Sequence, residues 1–440
     1  MPGRNILHLL LQFSLFAAVF SQIDTKILKS PQLYFHYVLM LLLMPVLVYR
    51  HRSVPKYILY FIVLASGTGI FYVARGYNSL PLLVKIIFII TFVTLYFYYF
   101  LREFRFDIEK VFGFYLKGAI VASIVFFIQH VGFVLGIQPL YNLSYLGVLF
   151  KPPQEDGFLP AAFMPEPAGI ASVLCCALFI ALHNVVTSRR LMLSYTGSIL
   201  IIAALLFSGS STGYLGMFFC FLLMAINYRK VAMIAGSVVI GTGVCLALYS
   251  YNARFKMRVD DSLGVFFYQR LTSEKQLKNG STMALYNNLH IASSNFKNHP
   301  VMGTGLGSHP VAFGFYNRFD EDTIWWAELN KEDANSLFLR LMSETGLLGL
   351  ALFFGFLVKF GVSKKSSVDN RRWLISNAIL VFVFVTLLRQ GNYVGYSIPF
   401  FLLMYYYNHK NNMRLRLAAT SRPAGGTVAD PLPAGLKKYD

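Results

Sequence analysis

The sequence predicts an all-α, multi-pass integral membrane protein. It should have about twelve transmembrane helices and a large, mostly helical external loop before the last three. Three observations carry this. Apolar residues make up 56% of the 440 residues and charged residues only 13%, with a mean hydropathy of +0.55. Apolar runs long enough to cross a hydrocarbon core of about 30 Å recur along most of the chain. Lysine and arginine collect in alternate connecting loops.

The expected spans are 6–20, 33–49, 57–73, 82–101, 111–135, 170–186, 191–207, 213–227, 231–249, 346–362, 373–388 and 392–407. The first has Arg4 before an apolar run, as a signal peptide would. Its "FSLFAAVFSQ" end lacks a small-x-small cleavage site, so it is expected to stay as a span. Spans seven and eight are separated only by "SGSST", which leaves a re-entrant pair open. One set of loops holds Arg50, Arg52, Lys56, Arg102, Arg105, Lys110, Arg189, Arg190, Arg229, Lys230, Lys364, Lys365, Arg371 and Arg372. The alternate short loops hold Lys26, Lys29, Arg75 and Arg389. Cytoplasmic loops retain cations, so the first set and both termini are expected inside. Topogenic cations thus account for the net charge of +19, and no basic–aromatic repeat of a nucleic-acid module appears. Cys175, Cys176, Cys220 and Cys245 all fall inside spans and offer no disulfide framework.

This divides the chain into a bundle at 1–249 with an external loop at 136–169, a large external loop at 250–345, three final spans at 346–407, and a Pro-, Gly- and Ala-rich cytoplasmic tail at 408–440 expected to be disordered. In the large loop, Ser250–Pro300 has seven basic residues against three acidic ones, and Val301–Asn335 two against six. The pattern fits either two solvated faces of opposite sign or one half that holds anionic groups and another that holds sugar hydroxyls. Trp325 and Trp326 suit stacking on sugar rings and anchoring at the membrane interface equally. The stretch "NHPVMGTGLGSHP" alternates Gly303, Gly305 and Gly307. No Lys-Ser/Thr follows and no strand signal precedes it, so neither nucleotide fingerprint fits. A tight turn or a close backbone approach remains. Next comes "NSLFLRLMSETGLLGLALFFGF", Asn335–Phe356. It reads as a surface helix that bends near "ETG" and enters a span, with Gly346 and Gly349 permitting the bend.

The pair "F-x-N-H-P-x-M-G-x-G-L-G" and "N-S-x-x-x-x-L-x-x-E-T-G-L-L-G", within Phe296–Phe356, resembles the core of the O-antigen ligase and polymerase superfamily. "GFLPAAFMPEPAGIAS" (Gly157–Ser172) is similar to a Phe-x-x-Glu-Pro segment of exopolysaccharide polymerases, and "LLFSGSSTGYLG" (Leu205–Gly216) to a hydroxyl-rich break between spans of the family. The resemblance implies an inverting-type glycosyltransferase of the inner membrane. It would polymerise glycan repeats carried on undecaprenyl pyrophosphate, for O-antigen, capsule or exopolysaccharide. Implied partners are the lipid-linked donor and acceptor, membrane lipids, a chain-length regulator and a flippase. No nucleic acid, metal or cofactor is expected. Ligases of the superfamily commonly carry His-Asn where this chain has Asn335 and Ser336, which favours the polymerase. A glycan ligase and a lipid-linked sugar flippase are the rival readings.

The leaving diphosphate calls for fixed cations, and arginine's planar fork suits phosphate oxygens. Arg270, in "QRLTS", comes first because it matches the arginine that precedes the family's glycine motif. Arg389, Arg75 and Arg340 follow. The attacking hydroxyl needs a proton acceptor, for which Glu166 between two prolines is the candidate. The three glycines, His309, Asn335, Ser336 and Glu344 complete the expected substrate-binding set. His290, His299 and His309 are spaced as loop residues rather than as a metal site.

Overall fold

The computed structural model describes residues 2–24, 34–151, 158–228, 253–266, 280–319 and 327–420, with scattered positions between 236 and 251. Helix dominates and no strand occurs among the described residues. Two isolated bridges, Ile23 to Val148 and Asp24 to Tyr34, are the extended pairings. In chain order the helices are α1 (Pro2–Phe20), α2 (Phe35–His51), α3 (Lys56–Ala74), α4 (Leu80–Glu103), α5 (Ile108–Val134), the short α6 (Gln138–Tyr141), α7 (Pro167–Thr187), α8 (Tyr195–Phe207), α9 (Ser211–Tyr228), α10 (Ala253–Phe266), α11 (Gly280–Asn298), α12 (His309–Tyr316), α13 (Leu337–Lys359), α14 (Asn370–Arg389) and α15 (Ile398–Thr420).

Among the described residues, α3, α4, α5, α7, α9, α13 and α14 are long and apolar enough to cross a membrane, and α1, α2 and α8 are shorter apolar helices. Eleven of the twelve expected spans therefore fall on helices, counting α15. The ninth, 231–249, lies almost wholly outside the described residues, as does Cys245. Two boundaries differ from expectation. Helix α8 starts only at Tyr195, and its 13 residues extend about 20 Å. The tail expected to be irregular from 408 instead continues α15 as far as Thr420, because nothing between Tyr407 and Thr420 breaks a helix.

Helix α7 is the central pillar. Every residue from Gly169 to Asn184 is buried, as befits a helix that is apolar all round. It packs on α8, α9 and α14. Helix α3 is peripheral and exposes Leu59, Tyr60, Val63 and Leu64, which in a bilayer face lipid rather than water. At the end carrying the basic loops, ion pairs lock helices together. The buried Glu103 accepts from Arg50 Nη1 at 2.8 Å. Glu109 meets Arg371 and Arg372, each at 2.9 Å. The two long loops lie together at the opposite end, where both line one cavity.

Candidate active site

Two assemblies hold the residues singled out by sequence. The first is a buried clamp on α13. Gly346 sits inside this helix with φ 61° and ψ −158°, so the helix breaks directly after Glu344–Thr345. A break orphans carbonyls and N–H groups that must find partners when buried. The glycine turn supplies them. Thr304 N–H donates to Ser343 O (3.3 Å) and Gly305 N–H to Glu344 O (2.8 Å). In return, Leu347 N–H donates to Pro300 O (2.8 Å) and Leu348 N–H to Val301 O (3.0 Å). Gly303, Gly305 and Gly307 all have positive φ. A Cβ on Gly303 would strike the backbone of Glu344 and Thr345, and one on Gly346 would lie 2.6 Å from the Gly303 nitrogen. The turn needs glycine because two backbones touch there.

The Glu344 carboxylate, with no exposure, closes the clamp. One oxygen accepts from Arg340 Nε at 2.9 Å and from the His309 backbone N–H at 3.3 Å. The other accepts from the Gly307 N–H and the Tyr393 hydroxyl, both at 2.8 Å. Arg340 also donates to Gly391 O at 3.1 Å and stacks on the Tyr393 ring at 4.6 Å. Burial, and then the charge of Glu344, hold the Tyr393 hydroxyl well above its ordinary range. His309 Nε2 donates to Asn288 Oδ1 at 2.9 Å, and burial, with Arg340 second, pushes this imidazole down to about 3. Asn295 adds bonds to Ser343 and Thr304. Of the turn's N–H groups, those of Gly307 and His309 are aimed at the protein's own Glu344 carboxylate, while those of Gly303 and Gly305 bond to the His299 and Glu344 carbonyls. Glu344, Arg340, His309 and the three glycines thus form one interlocked, hydrogen-bonded assembly.

The second assembly is a cavity of about 1360 Å³. Its wall takes residues from the α1–α2 connection, the loop 141–168, the break at 209–212, one face of α10, the start of α11, the segment 329–335 and the segment 389–396. Glu166, Arg389 and Asn335 line it; Arg75, Arg340, Ser336, Glu344, His309 and the glycines do not. Arg270 lies outside the described residues, as do Trp325 and Trp326. Arg75 instead stacks on Phe71 at 4.4 Å. Ser336 caps α13, accepting from the Leu339 N–H at 3.3 Å, and donates to Leu387 O at 2.7 Å.

Local chemistry fixes the cavity residues. Glu166 stands in extended conformation at the N-terminus of α7, with Pro167 at the first helical position. Gln129 of α5 holds the preceding loop by accepting from the Ala161 and Ala162 N–H groups and donating to Ala162 O. The Glu166 carboxylate pairs with Lys151, and both side chains are more than half exposed. Asp333 accepts from Asn330 Nδ2 (2.9 Å) and from the Asn335 N–H (3.1 Å). Tyr396, at φ 48°, is buried in the wall and its hydroxyl accepts from Gln390 Nε2 at 3.2 Å. Burial first, then the charges of Glu166 and Tyr34, raise the Tyr396 hydroxyl. Lock and cavity meet at Gly391, which lines the cavity, accepts from Arg340, and has no room for a Cβ beside the Asp333 backbone.

The sequence reading missed His36, Lys151, Asp333 and Tyr396 as wall residues. His36 and Tyr396 had a visible signal, since each places a polar group at a span end on the side of the long loops. The stretch at 208–212 was noticed as a break, and Gly209–Thr212 of it lie in the cavity wall.

Fold and site together define a multi-pass membrane protein with a large cavity walled by two long loops at one end of the bundle. Residues 196–354 match the family model described as O-Antigen ligase, in agreement with the resemblance noted in the motifs. The match runs from α8 through the glycine turn into α13, and supports an enzyme of the glycan ligase or polymerase type acting on lipid-linked glycans. No curated protein matches the chain.

Proposed function

We propose that the chain is a glycosyltransferase that polymerises glycan repeats carried on polyprenyl diphosphate, at the outer face of the cytoplasmic membrane. The cavity carries this reading. Its volume of about 1360 Å³ exceeds the roughly 300–1,000 Å³ typical of a single small-ligand pocket. Donor and acceptor glycans therefore fit together. Arg389 meets the departing diphosphate, whose growing charge a fixed guanidinium stabilises. Arg270, on the same long loop as α10, adds a second guanidinium. Glu166 and Asn335 hold sugar hydroxyls by hydrogen bonds. The reaction forms a glycosidic bond and releases polyprenyl diphosphate.

A second reading, transfer of a finished glycan to another acceptor, is favoured by the description of the matching family model. Purified protein given a lipid-linked repeat unit decides between them. A ladder of products is expected. Transfer of one preformed chain to a lipid acceptor, without a ladder, replaces the polymerase with the ligase. Arg270→Ala and Arg389→Ala should abolish chain growth while the protein still inserts; wild-type chain lengths in either would remove that arginine from the site.

A further inference from the structure

The reaction proposed above needs a group that takes the proton of the attacking hydroxyl. Among the described residues two carboxylates line the cavity, and both have partners. Glu166 is held by Lys151, and Asp333 accepts from Asn330 and the Asn335 N–H. Both also begin as anions in a space that must admit a diphosphate, and like charges disfavour that approach. His36 differs on each count. It lines the same cavity at 8% exposure. It makes no hydrogen bond to any described residue, and its Nδ1 is buried without a partner among them. A buried imidazole with both nitrogens uncommitted calls for a ligand group.

The ring is also held in place. Tyr34 stacks on it at 5.7 Å with 13° between planes, and Tyr37 packs at 4.2 Å. The backbone beneath is tied down, with the Phe35 N–H donating to Ile23 O and the Asp24 N–H to Gly147 O, each at 2.9 Å. These bonds join the start of α2 to the loop that carries Lys151 and Glu166.

We propose that His36 is the general base of glycan transfer. The inference rests on the glycan-transfer reading of this cavity. A ring nitrogen of His36 takes the proton as the acceptor oxygen forms its bond to the donor's anomeric carbon. The bond from that carbon to the diphosphate breaks, and its electron pair leaves with the polyprenyl diphosphate. Imidazole starts neutral and ends as a cation, so its charge rises as negative charge develops on the leaving group. A carboxylate base would lose its charge instead. Among the described residues, the other charged and titratable groups that line the cavity are Glu166, Lys151, Asp333, Arg389, Tyr141 and Tyr396, with Tyr34 and Tyr37 packed on the ring itself.

The test uses full-length protein in detergent with a lipid-linked repeat unit. His36→Ala should lose at least a hundredfold in kcat with KM within about threefold, the scale of a lost general base. Added imidazole should restore part of the rate in His36→Ala and none in Glu166→Ala. His36→Gln keeps the side-chain bulk and should be equally inactive while eluting and melting as wild type. A rate within threefold of wild type in either variant overturns the assignment. So does an inactive His36→Ala that binds donor normally yet ignores imidazole. Wild type that neither elongates nor transfers the glycan overturns the glycan-transfer reading and this base with it; an active wild type beside an active His36→Gln removes the base alone.

Discussion

Replacing Glu344 by alanine tests the lock directly. The carboxylate accepts from four donors, Arg340 Nε, the Tyr393 hydroxyl, and the N–H groups of Gly307 and His309. Alanine leaves the Arg340 guanidinium, 4% exposed, with Gly391 O as its bonded partner. Breaking a buried ion pair by removing one partner costs about 3–5 kcal/mol. Each orphaned neutral donor adds about 1–3 kcal/mol if no water reaches it. These terms overlap, so the expected loss is at least about 3 kcal/mol. Equilibrium unfolding in mixed micelles, followed by circular dichroism, measures it. A second variant separates charge from shape. Arg340→Met with Glu344→Leu removes both charges but keeps three orphaned donors. It should be more stable than Glu344→Ala by over about 1 kcal/mol. A single-variant loss below about 1 kcal/mol would refute the lock. So would a double variant that costs the sum of the two single changes.

Three further outcomes follow from the same geometry. Gly303→Ala meets the Glu344–Thr345 backbone at a positive φ, so the protein should reach the membrane but fail to protect the large loop from protease; wild-type protection would show that the turn tolerates a side chain. Stability should fall on acidification between about pH 6.5 and pH 3. His309 has its imidazole held down to about 3, so below 6.5 the unfolded chain binds a proton that the folded chain does not. At pH 4.5 this removes about 2–3 kcal/mol, and His309→Asn should flatten the unfolding profile over that window. For the membrane orientation, Tyr145→Cys (67% exposed) should react with an impermeant thiol reagent from outside, and Val54→Cys (46% exposed) only after permeabilisation; the reverse pattern would invert the topology.

Much of this architecture was legible because lipid imposes simple rules. Apolar run length fixed the spans, and the placement of arginine and lysine fixed which loops share an end. The bend at Gly346 was legible as well, since glycines flank a motif that leaves a surface helix for a span. The roles of the motif residues were not legible. The glycines read in sequence as a tight turn or a close backbone approach, and only the coordinates reveal that what approaches is the Glu344–Thr345 backbone, with the Glu344 carboxylate on the Gly307 and His309 N–H groups. Helix α8 was misjudged in length because "LML" (Leu191–Leu193) is apolar and extends the run, although Asn184 Nδ2 bonds to Leu191 O and Leu193 O and holds it outside the helix. The place of His36 in the wall was not legible because the other wall residues, such as Glu166 and Asp333, lie far off in sequence.

The reciprocal bonding between the glycine turn and the bend in α13 also dictates an order of assembly. Gly307 and Glu344 are 37 residues apart, and each segment lends the other backbone bonds, from Thr304 and Gly305 in one direction and from Leu347 and Leu348 in the other. During synthesis the turn emerges first and has nothing to close upon. Its bonds to the bend can form only once the Glu-Thr-Gly segment is delivered, so the turn closes when the third-last helix enters the bilayer. A chain truncated before that helix would carry every earlier span yet hold an unlatched loop, which gives quality-control proteases a clear mark of an unfinished molecule.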